Sequence, residues 1–128
     1  MKVIITGCAG MIGSYLTSSL LEEFSNLNDF KIIGMDNLSR GKIENLQEAC
    51  GDNFKKLEFI KCDLTKYEEY WASKFKETDV FKADKVFITN SSAIILEANK
   101  LNGKKLKVSN NQILRNIKSE ILKVINHE

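Results

Sequence analysis

Three glycines at regular spacing stand near the start of the chain, between a β-branched run and a helical pattern. The run is Lys2–Thr6, and its consecutive apolar residues are typical of a strand buried on both faces of a parallel sheet. From Met11 to Phe24 apolar residues recur every four positions, which predicts a helix with one apolar face. The segment between them reads Gly7-Cys-Ala-Gly10-Met-Ile-Gly13. A strand that passes straight into a helix through such a loop restricts the chain to parallel α/β architectures.

Strand-like and helix-like segments continue to alternate along the chain. Short apolar runs predict three further strands, at residues 31–35, 57–61 and 85–89. Amphipathic segments predict helices at residues 42–50 and 65–76, the second opened by a Thr65-Lys-Tyr-Glu68 capping box. Because parallel strands need such helical crossovers, the order predicts an α/β fold with a Rossmann-like parallel sheet and flanking helices.

The alternation weakens after Ser92. Short strands are predicted at residues 93–96 and 105–108, around an Asn102-Gly103 turn. A second capping box at residues 109–112 opens a last amphipathic helix. No linker-like composition divides the 128 residues, so we expect a single domain, residues 1–128. It comprises a Rossmann half at residues 1–80 and an atypical C-terminal segment at 81–128, whose origin the pattern leaves open.

The glycine loop has the features of a phosphate site. Gly7 permits a tight turn, Gly10 lets the backbone approach a pyrophosphate, and Gly13 lets helix and strand pack closely. The helix N-terminus adds free N–H groups and partial positive charge. Asp36 ends the second predicted strand, where a carboxylate can accept both ribose hydroxyls of an adenosine. This order predicts a dinucleotide site; the alternatives are a tight turn that binds nothing and, for Asp36, a helix N-cap or an Asx-turn.

Three stretches resemble the amino-terminal part of NAD-dependent epimerases and dehydratases, the extended short-chain dehydrogenase family, and are most similar to nucleotide-sugar epimerases. They are Thr6-Gly-Cys-Ala-Gly-Met-Ile-Gly13, Met35-Asp-Asn-Leu-Ser-Arg-Gly41 and Lys61-Cys-Asp-Leu-Thr65. The resemblance implies NAD as the cofactor, a nucleotide sugar as the substrate, and cofactor contacts at Gly7, Gly10, Met11, Ile12, Gly13, Asp36, Asn37, Leu38, Ser39, Arg40, Gly41, Asp63 and Leu64.

The resemblance also implies a role for each part of this set. Met11 and Ile12 would meet the pyrophosphate through their backbone. Asp36 would hold the ribose and repel the extra phosphate of NADP, and the segment after it would lie along the adenosine. Asp63 and Leu64 would border the adenine ring, with the carboxylate facing its amino group.

The catalytic residues of this family are a Tyr and a Lys four positions apart on a helix, with a Ser or Thr on a preceding strand. They normally lie far downstream of the glycine loop. Tyr70 and Lys74 match the spacing, and a Tyr beside a Lys can act as general acid or base. However, they fall where the family has a surface helix, so a solvated face with Trp71 or Phe75 packed inward is the alternative. We therefore expect a truncated member without the catalytic set, and whether it is an enzyme stays open.

A second resemblance begins near residue 80. Residues 81–91, 101–105 and 110–118 resemble the carboxyl end of class IV aminotransferases and aminodeoxychorismate lyases. In that family, the positions of Thr89 and Ser91 help hold the phosphate of pyridoxal phosphate, but the Schiff-base lysine would lie in a segment that this chain lacks. A fusion or gene relic joined between about Thr78 and Asp84 would account for both resemblances. Alternatively, Lys85–Thr89 supplies the fourth Rossmann strand and the rest is a divergent cap.

Charge and cysteine content bear on partners and compartment. The net charge is +2, and the basic stretch at residues 100–118 lacks interleaved aromatic residues, so we expect no nucleic-acid binding. Three cysteines without a Cys-x-x-Cys pair predict a reduced, cytoplasmic protein without a metal site. Glycines and hydroxyl residues interrupt the uncharged stretch Val3–Leu21, so no membrane segment is expected. The oligomeric state is not readable from the sequence.

Overall fold

A five-stranded sheet forms the centre of the computed structural model, which describes residues 1–66, 73–89 and 95–107 and the single positions 112, 116, 119, 120 and 123. The strand order is β3-β2-β1-β4-β5. The strands are β1 (Lys2–Thr6), β2 (Lys31–Asp36), β3 (Leu57–Lys61), β4 (Lys85–Thr89) and β5 (Ile95–Glu97). The first four are parallel and β5 is antiparallel to β4. The predicted Rossmann-like parallel sheet with flanking helices is confirmed.

Short helices connect the parallel strands. They are α1 (Met11–Glu23), α2 (Ile43–Cys50), the 3₁₀ helix Gly51–Lys56 and α3 (Glu77–Lys82). The apolar face of α1 is buried as its four-residue spacing predicts, with Leu16 and Leu20 fully inaccessible. Gly51 ends α2 with a φ of 54°, a positive value that glycine adopts more readily than other residues. Within the described part of the chain, no helix has the length and apolar character needed to span a membrane.

Each face of the sheet has its own apolar core. Side chains alternate along a strand, so Val3 and Ile5 of β1 point into the core under α1, whereas Ile4 points into the core on the opposite face. That second core also contains Phe75 and Leu106. Burial on both faces is what the continuous apolar runs predict. The inward packing expected of Phe75 is confirmed, while Trp71 lies outside the described residues.

The strand β4 continues the parallel sheet on the other side of β1, with Val3 opposite Lys85 and Thr6 opposite Ile88. Residues 85–89 therefore supply the fourth strand of the Rossmann-like sheet. The antiparallel β5 then covers the edge of β4, and an ion pair between the buried Lys85 and the partly exposed Glu97 joins the two strands at 3.0 Å. Residues 85–89 and 95–97 thus belong to the same sheet as β1, the strand that leads into the glycine loop.

The Asn102-Gly103 turn is confirmed, but its strands are placed differently from the prediction. They are β6 (Lys100–Leu101) and β7 (Lys104–Lys105). Asn102 and Gly103 have φ values of 50° and 77°, and a two-residue turn with both φ positive forces pairing to begin immediately beside it. The strand predicted at residues 93–96 overlaps β5, whereas the one predicted at residues 105–108 shares only Lys105 with β7 among its described positions.

The helix predicted from Thr65 to about Lys76 is described only at its ends, and its predicted start at Thr65 is wrong. Residues 63–66 form a turn, because Asp63 Oδ1 accepts hydrogen bonds from the Thr65 amide at 2.9 Å and the Thr65 hydroxyl at 2.6 Å. Ser73 and Lys74 are helical, whereas the next two residues are not. The partner of the predicted capping box, Glu68, lies outside the described residues, as does the apolar face of the last helix. Five described positions of that last segment are helical: Gln112, Asn116, Ser119, Glu120 and Lys123.

Asp84 joins the start of β1 to the end of the hairpin and should make stability depend on pH. Its Oδ2 accepts the Lys2 amide at 2.8 Å, and its Oδ1 lies 3.6 Å from Lys107 Nζ. The Lys2 amide, and secondarily Lys107, hold the pKa of this carboxyl below its ordinary value. A carboxyl whose pKa is lower in the folded state stabilises the protein above its unfolded pKa, about 3.9, and loses that contribution as the pH falls through the folded value.

We therefore expect Asp84→Asn to lower the free energy of unfolding at pH 7 and to reduce its fall between pH 5 and pH 2. Urea unfolding at several pH values measures both quantities. A variant that keeps the wild-type pH dependence would contradict this role for Asp84.

Candidate functional site

A cavity of about 540 Å³ lies at the carboxyl ends of the parallel strands. In doubly wound sheets ligands bind at this edge, at the point where the strand order reverses. In the order β3-β2-β1-β4 that point lies between β1 and β4. The residues that line the cavity come from β1, β2 and β4, from the loops after β1, β2 and β3, and from the start of α1: Thr6, Gly7, Gly10, Met11, Met35, Asp36, Asn37, Ser39, Arg40, Gly41, Cys62, Asp63, Leu64, Thr65 and Thr89.

Ten of the thirteen residues assigned to the cofactor from the sequence line this cavity; Ile12, Gly13 and Leu38 do not. The Ile12 side chain is buried in the core under α1, and Leu38 packs against that core. Sequence reasoning missed Thr6, Met35, Cys62 and Thr65 and gave Thr89 a different role. Thr6 and Thr89 end strands, Met35 is the next-to-last residue of β2, and Cys62 and Thr65 lie in the segment that follows β3. The rule that strand ends and the loops after them line such a site could therefore have found them.

The glycine loop is held tightly at both ends. Gly7 has a φ of 71°, as its tight turn requires, and its amide donates to the Met35 carbonyl at 2.7 Å. A Cβ on Gly13 would lie 2.0 Å from the Gly7 carbonyl oxygen. The loop backbone is thus pressed against α1, the close packing expected of Gly13.

Gly10 differs from its two neighbours because the fold leaves space beside it. A Cβ on Gly10 would meet only the Gly7 carbonyl oxygen, at 3.4 Å. Gly10 also lines the cavity and is the N-cap of α1, with no side-chain cap and no acidic residue in the first turn. The first amides of a helix lack intrahelical acceptors and carry partial positive charge. The space that a Cβ would occupy is therefore available for an anionic group against these amides.

Asp36 ties the end of β2 to the glycine loop. Its Oδ2 accepts the Ala9 amide at 2.9 Å, and its Oδ1 accepts the Leu38 amide at 2.8 Å. The second bond is an Asx-turn, which was one of the alternatives for this residue, whereas the N-cap of α2 is Lys42. A carboxylate offers about four lone-pair positions, so each oxygen keeps one acceptor position after these two bonds.

The segment after Asp36 packs on the glycine loop and continues the cavity wall. A Cβ on Gly41 would lie 2.4 Å from the Ala9 carbonyl oxygen. On the opposite wall, the side-chain and backbone hydrogen bonds from Thr65 lower the pKa of Asp63, so this carboxyl is ionised at neutral pH. Leu64 is half exposed at the rim. An apolar side chain beside a carboxylate suits a flat base with an amino group.

Four residues were predicted for proton transfer or for pyridoxal phosphate binding, and only one of them is placed at the cavity among the described residues. Lys74 is exposed and does not line it, and Tyr70 lies outside the described residues, so their pairing stays a prediction. Thr89 does line the cavity, but its hydroxyl donates to the Thr6 and Gly7 carbonyl oxygens, at 2.9 and 3.0 Å. Ser91 lies outside the described residues.

The three cysteines are buried and unbridged. Burial is the main cause that raises the pKa of Cys8, and it raises the pKa of Cys50 to about 11. Both thiols are therefore protonated at neutral pH and inert as nucleophiles. Over the described ranges, no group of three or more His, Cys, Asp or Glu side chains is arranged to hold a metal ion.

Comparison with known families agrees with this geometry. The family model of GDP-mannose 4,6-dehydratase matches residues 4–80, which is more than half of the chain. The chain belongs to this family. The resemblance to NAD-dependent epimerases and dehydratases is thereby confirmed. The match includes the glycine loop, Asp36 and the turn at Asp63, and it stops before β4.

Two curated proteins are similar to this chain over half of its length or more. A UDP-glucose 4-epimerase of Mycolicibacterium smegmatis is 41% identical over 64 residues, which are 50% of this chain and 18% of that protein. An uncharacterised protein of Methanocaldococcus jannaschii is 33% identical over 83 residues, which are 62% of this chain and 24% of that protein.

A solved dehydratase structure shows the same fold. The dTDP-glucose 4,6-dehydratase DesIV of Streptomyces venezuelae, solved with NAD and TYD bound, has a TM-score of 0.52 at 23% identity and covers 70% of this chain and 26% of its own. A UDP-N-acetylglucosamine 4-epimerase of Methanobrevibacter ruminantium is 32% identical, with a TM-score of 0.49, over 73% of this chain and 25% of its own. The chain therefore spans about a quarter or less of these relatives. The resemblance to class IV aminotransferases gains no support from these matches and stays a prediction.

Proposed function

We propose that this chain binds NAD in the cavity at the carboxyl ends of the strands, as the cofactor-binding part of a nucleotide-sugar epimerase or dehydratase. One observation carries the proposal: the space beside Gly10, the amides that begin α1 and the Asp36 carboxylate open into the same cavity. An anionic pyrophosphate and a ribose with two hydroxyls are the groups that these features complement.

Each part of the cofactor has a matching part of the cavity. The pyrophosphate would accept hydrogen bonds from the amides of Met11 and Ile12, so the buried side chain of Ile12 is compatible with its assignment. The ribose hydroxyls would donate to the acceptor positions that remain on Asp36. The adenine would lie between the segment after Asp36 and Leu64, with its amino group near Asp63.

The same carboxylate favours NAD over NADP. A 2′-phosphate on the ribose would place a second negative charge against Asp36, which is already fixed by two backbone amides. The phosphate and the carboxylate would repel each other, and the repulsion is stronger where water is partly excluded. Arg40 lines the same cavity, but it follows Asp36 by several residues on an exposed loop.

The chemistry that bound NAD supplies is acceptance of a hydride from a sugar carbon. Among the described residues, none of the cavity-lining side chains is a tyrosine or lysine. We therefore assign these residues cofactor binding and not proton transfer. The epimerase or dehydratase reaction also needs catalytic groups and a pocket for the nucleotide sugar, and we assign neither to the described residues.

Gly10→Ala provides the test, because its effect on binding should exceed its effect on folding. The new methyl group makes one ordinary contact within the protein but occupies space that the pyrophosphate needs. We expect the free energy of unfolding to change by less than about 0.5 kcal/mol, and NAD⁺ to bind at least about tenfold more weakly. Calorimetric titration with NAD⁺ and urea unfolding measure the two quantities.

Gly51→Ala is the matched control with the opposite pattern. Nothing lies within 4 Å of a Cβ added at Gly51. Its φ of 54° and ψ of −135° are rarely adopted by L side chains, so strain should cost about 1–3 kcal/mol of stability without changing NAD⁺ affinity. If Gly10→Ala binds NAD⁺ as tightly as the wild type, the proposed site is wrong. Saturable binding of pyridoxal phosphate, without binding of NAD⁺, would favour the aminotransferase-like alternative instead.

A further inference from the structure

The hydroxyl of Thr89 connects the last residue of β4 to the first turn of the glycine loop. The side chain is buried, and its Oγ1 lies 2.9 Å from the Thr6 carbonyl oxygen and 3.0 Å from the Gly7 carbonyl oxygen. One hydroxyl hydrogen is thus shared between two acceptors that belong to consecutive peptide groups. These are the peptide groups at which β1 ends and the loop begins.

The Gly7 carbonyl is the point where the parts of the loop meet. It accepts the Gly10 amide at 3.2 Å, and it is the atom against which Gly13 packs. The backbone of Thr89 also packs closely against Gly7, since a Cβ added at Gly7 would lie 2.4 Å from the Thr89 carbonyl oxygen. The direction of the Gly7 peptide therefore sets the position of Gly10 and the start of α1.

We propose that Thr89 is a positioning residue for the NAD site. Its hydroxyl fixes the Gly7 peptide, and that peptide in turn aims the amides at the start of α1 toward the pyrophosphate. The inference rests on the proposed function, and it replaces the phosphate contact that the aminotransferase resemblance implied for Thr89. A hydroxyl whose hydrogen is shared by two backbone carbonyls is not available to donate to a phosphate.

The geometry makes valine the informative substitution. Valine puts a methyl carbon where Oγ1 now lies, 2.9 to 3.0 Å from two carbonyl oxygens, whereas even favourable C–H···O contacts lie at about 3.3–3.6 Å. Thr89→Val therefore removes the hydrogen bond and pushes the Gly7 peptide away. Thr89→Ser keeps the hydroxyl and removes only a methyl group.

Thr17→Val is the matched control. The Thr17 hydroxyl is fully buried and donates to the Gly13 carbonyl at 2.7 Å, but Thr17 does not line the cavity. We expect NAD⁺ to bind about tenfold more weakly to Thr89→Val, the equivalent of one well-made hydrogen bond, and within about twofold of the wild-type Kd to Thr89→Ser. Thr17→Val should lose stability and keep its affinity.

Amide hydrogen exchange on the ligand-free chain separates a local effect from a general loss of stability. In Thr89→Val the Gly10 amide should exchange faster, while amides in the middle of α1 keep their relative rates. Thr17→Val should not accelerate Gly10 selectively.

The outcomes distinguish the two proposals. A folded wild-type chain that does not bind NAD⁺ overturns the proposed function and, with it, the positioning role. Wild-type binding that Thr89→Val retains at full strength, or that Thr89→Ser loses to the same extent, overturns the positioning role alone.

Discussion

Gly13→Ala is expected to be the most destabilising single-methyl substitution in the glycine loop. Its Cβ would lie 2.0 Å from the Gly7 carbonyl oxygen, 2.7 Å from the Gly7 carbonyl carbon and 2.8 Å from Cys8 Cα. All three are backbone atoms, so no side chain can rotate to make room. The Gly7 peptide is itself tied to Met35 and Thr89. We expect a loss of about 3 kcal/mol or more, a large part of a typical domain's stability.

Urea unfolding followed by circular dichroism measures this loss, and Gly10→Ala is its control. The two substitutions add the same methyl group three residues apart, one against fixed backbone and the other beside the cavity. The expected result is a large fall in the unfolding midpoint for Gly13→Ala and almost none for Gly10→Ala. Equal, small effects of both substitutions would mean that the loop is not packed against α1 as described.

Asp36→Ala should have the largest effect on cofactor affinity. The substitution removes the proposed acceptor of both ribose hydroxyls, and it also frees the Ala9 and Leu38 amides that the carboxylate now holds. Hydrogen bonds to a charged group contribute about 1.5–3 kcal/mol each. Loss of two such bonds to the cofactor corresponds to a Kd for NAD⁺ at least about a hundredfold higher. Calorimetric titration measures the Kd.

Two further variants make the result specific. Asp36→Asn keeps one carbonyl acceptor but replaces the other with a donor that faces an amide, so its affinity should fall between those of wild type and Asp36→Ala. Asp52→Ala removes an exposed carboxylate in the 3₁₀ helix and should bind as the wild type does. Unchanged NAD⁺ affinity in Asp36→Ala would show that this carboxylate does not contact the cofactor.

Local sequence patterns were sufficient to predict the parallel core of this fold. Continuous β-branched runs give strands wherever both faces are buried, as in Lys2–Thr6 and Lys85–Thr89. The four-residue apolar spacing of α1 and the glycine after α2 mark helix positions through equally local rules. Much of the cavity followed as well, because glycine spacing and an acid at a strand end are short-range signals.

Two kinds of feature were not predictable in this way: those set by competing local hydrogen bonds and those that depend on distant contacts. The turn at residues 63–66 forms because Asp63 captures the Thr65 amide and hydroxyl, which competes with the helix that the capping box suggested. The dual bond of Thr89 joins positions 82 and 83 residues apart in the chain, and no spacing rule contains it. For β5, the antiparallel pairing with β4 depends on the register between the two strands and on the Lys85–Glu97 ion pair.

The central claim is that NAD binds at the carboxyl ends of the parallel strands, and backbone amide NMR shifts during a titration with NAD⁺ test it most directly. We expect saturable shifts at residues 7–13, 36–41 and 63–65, with the amides on the opposite edge of the sheet unchanged. In Asp36→Ala the same shifts should need much more NAD⁺. A folded chain whose amides do not move, or move only at other positions, would contradict the proposed site.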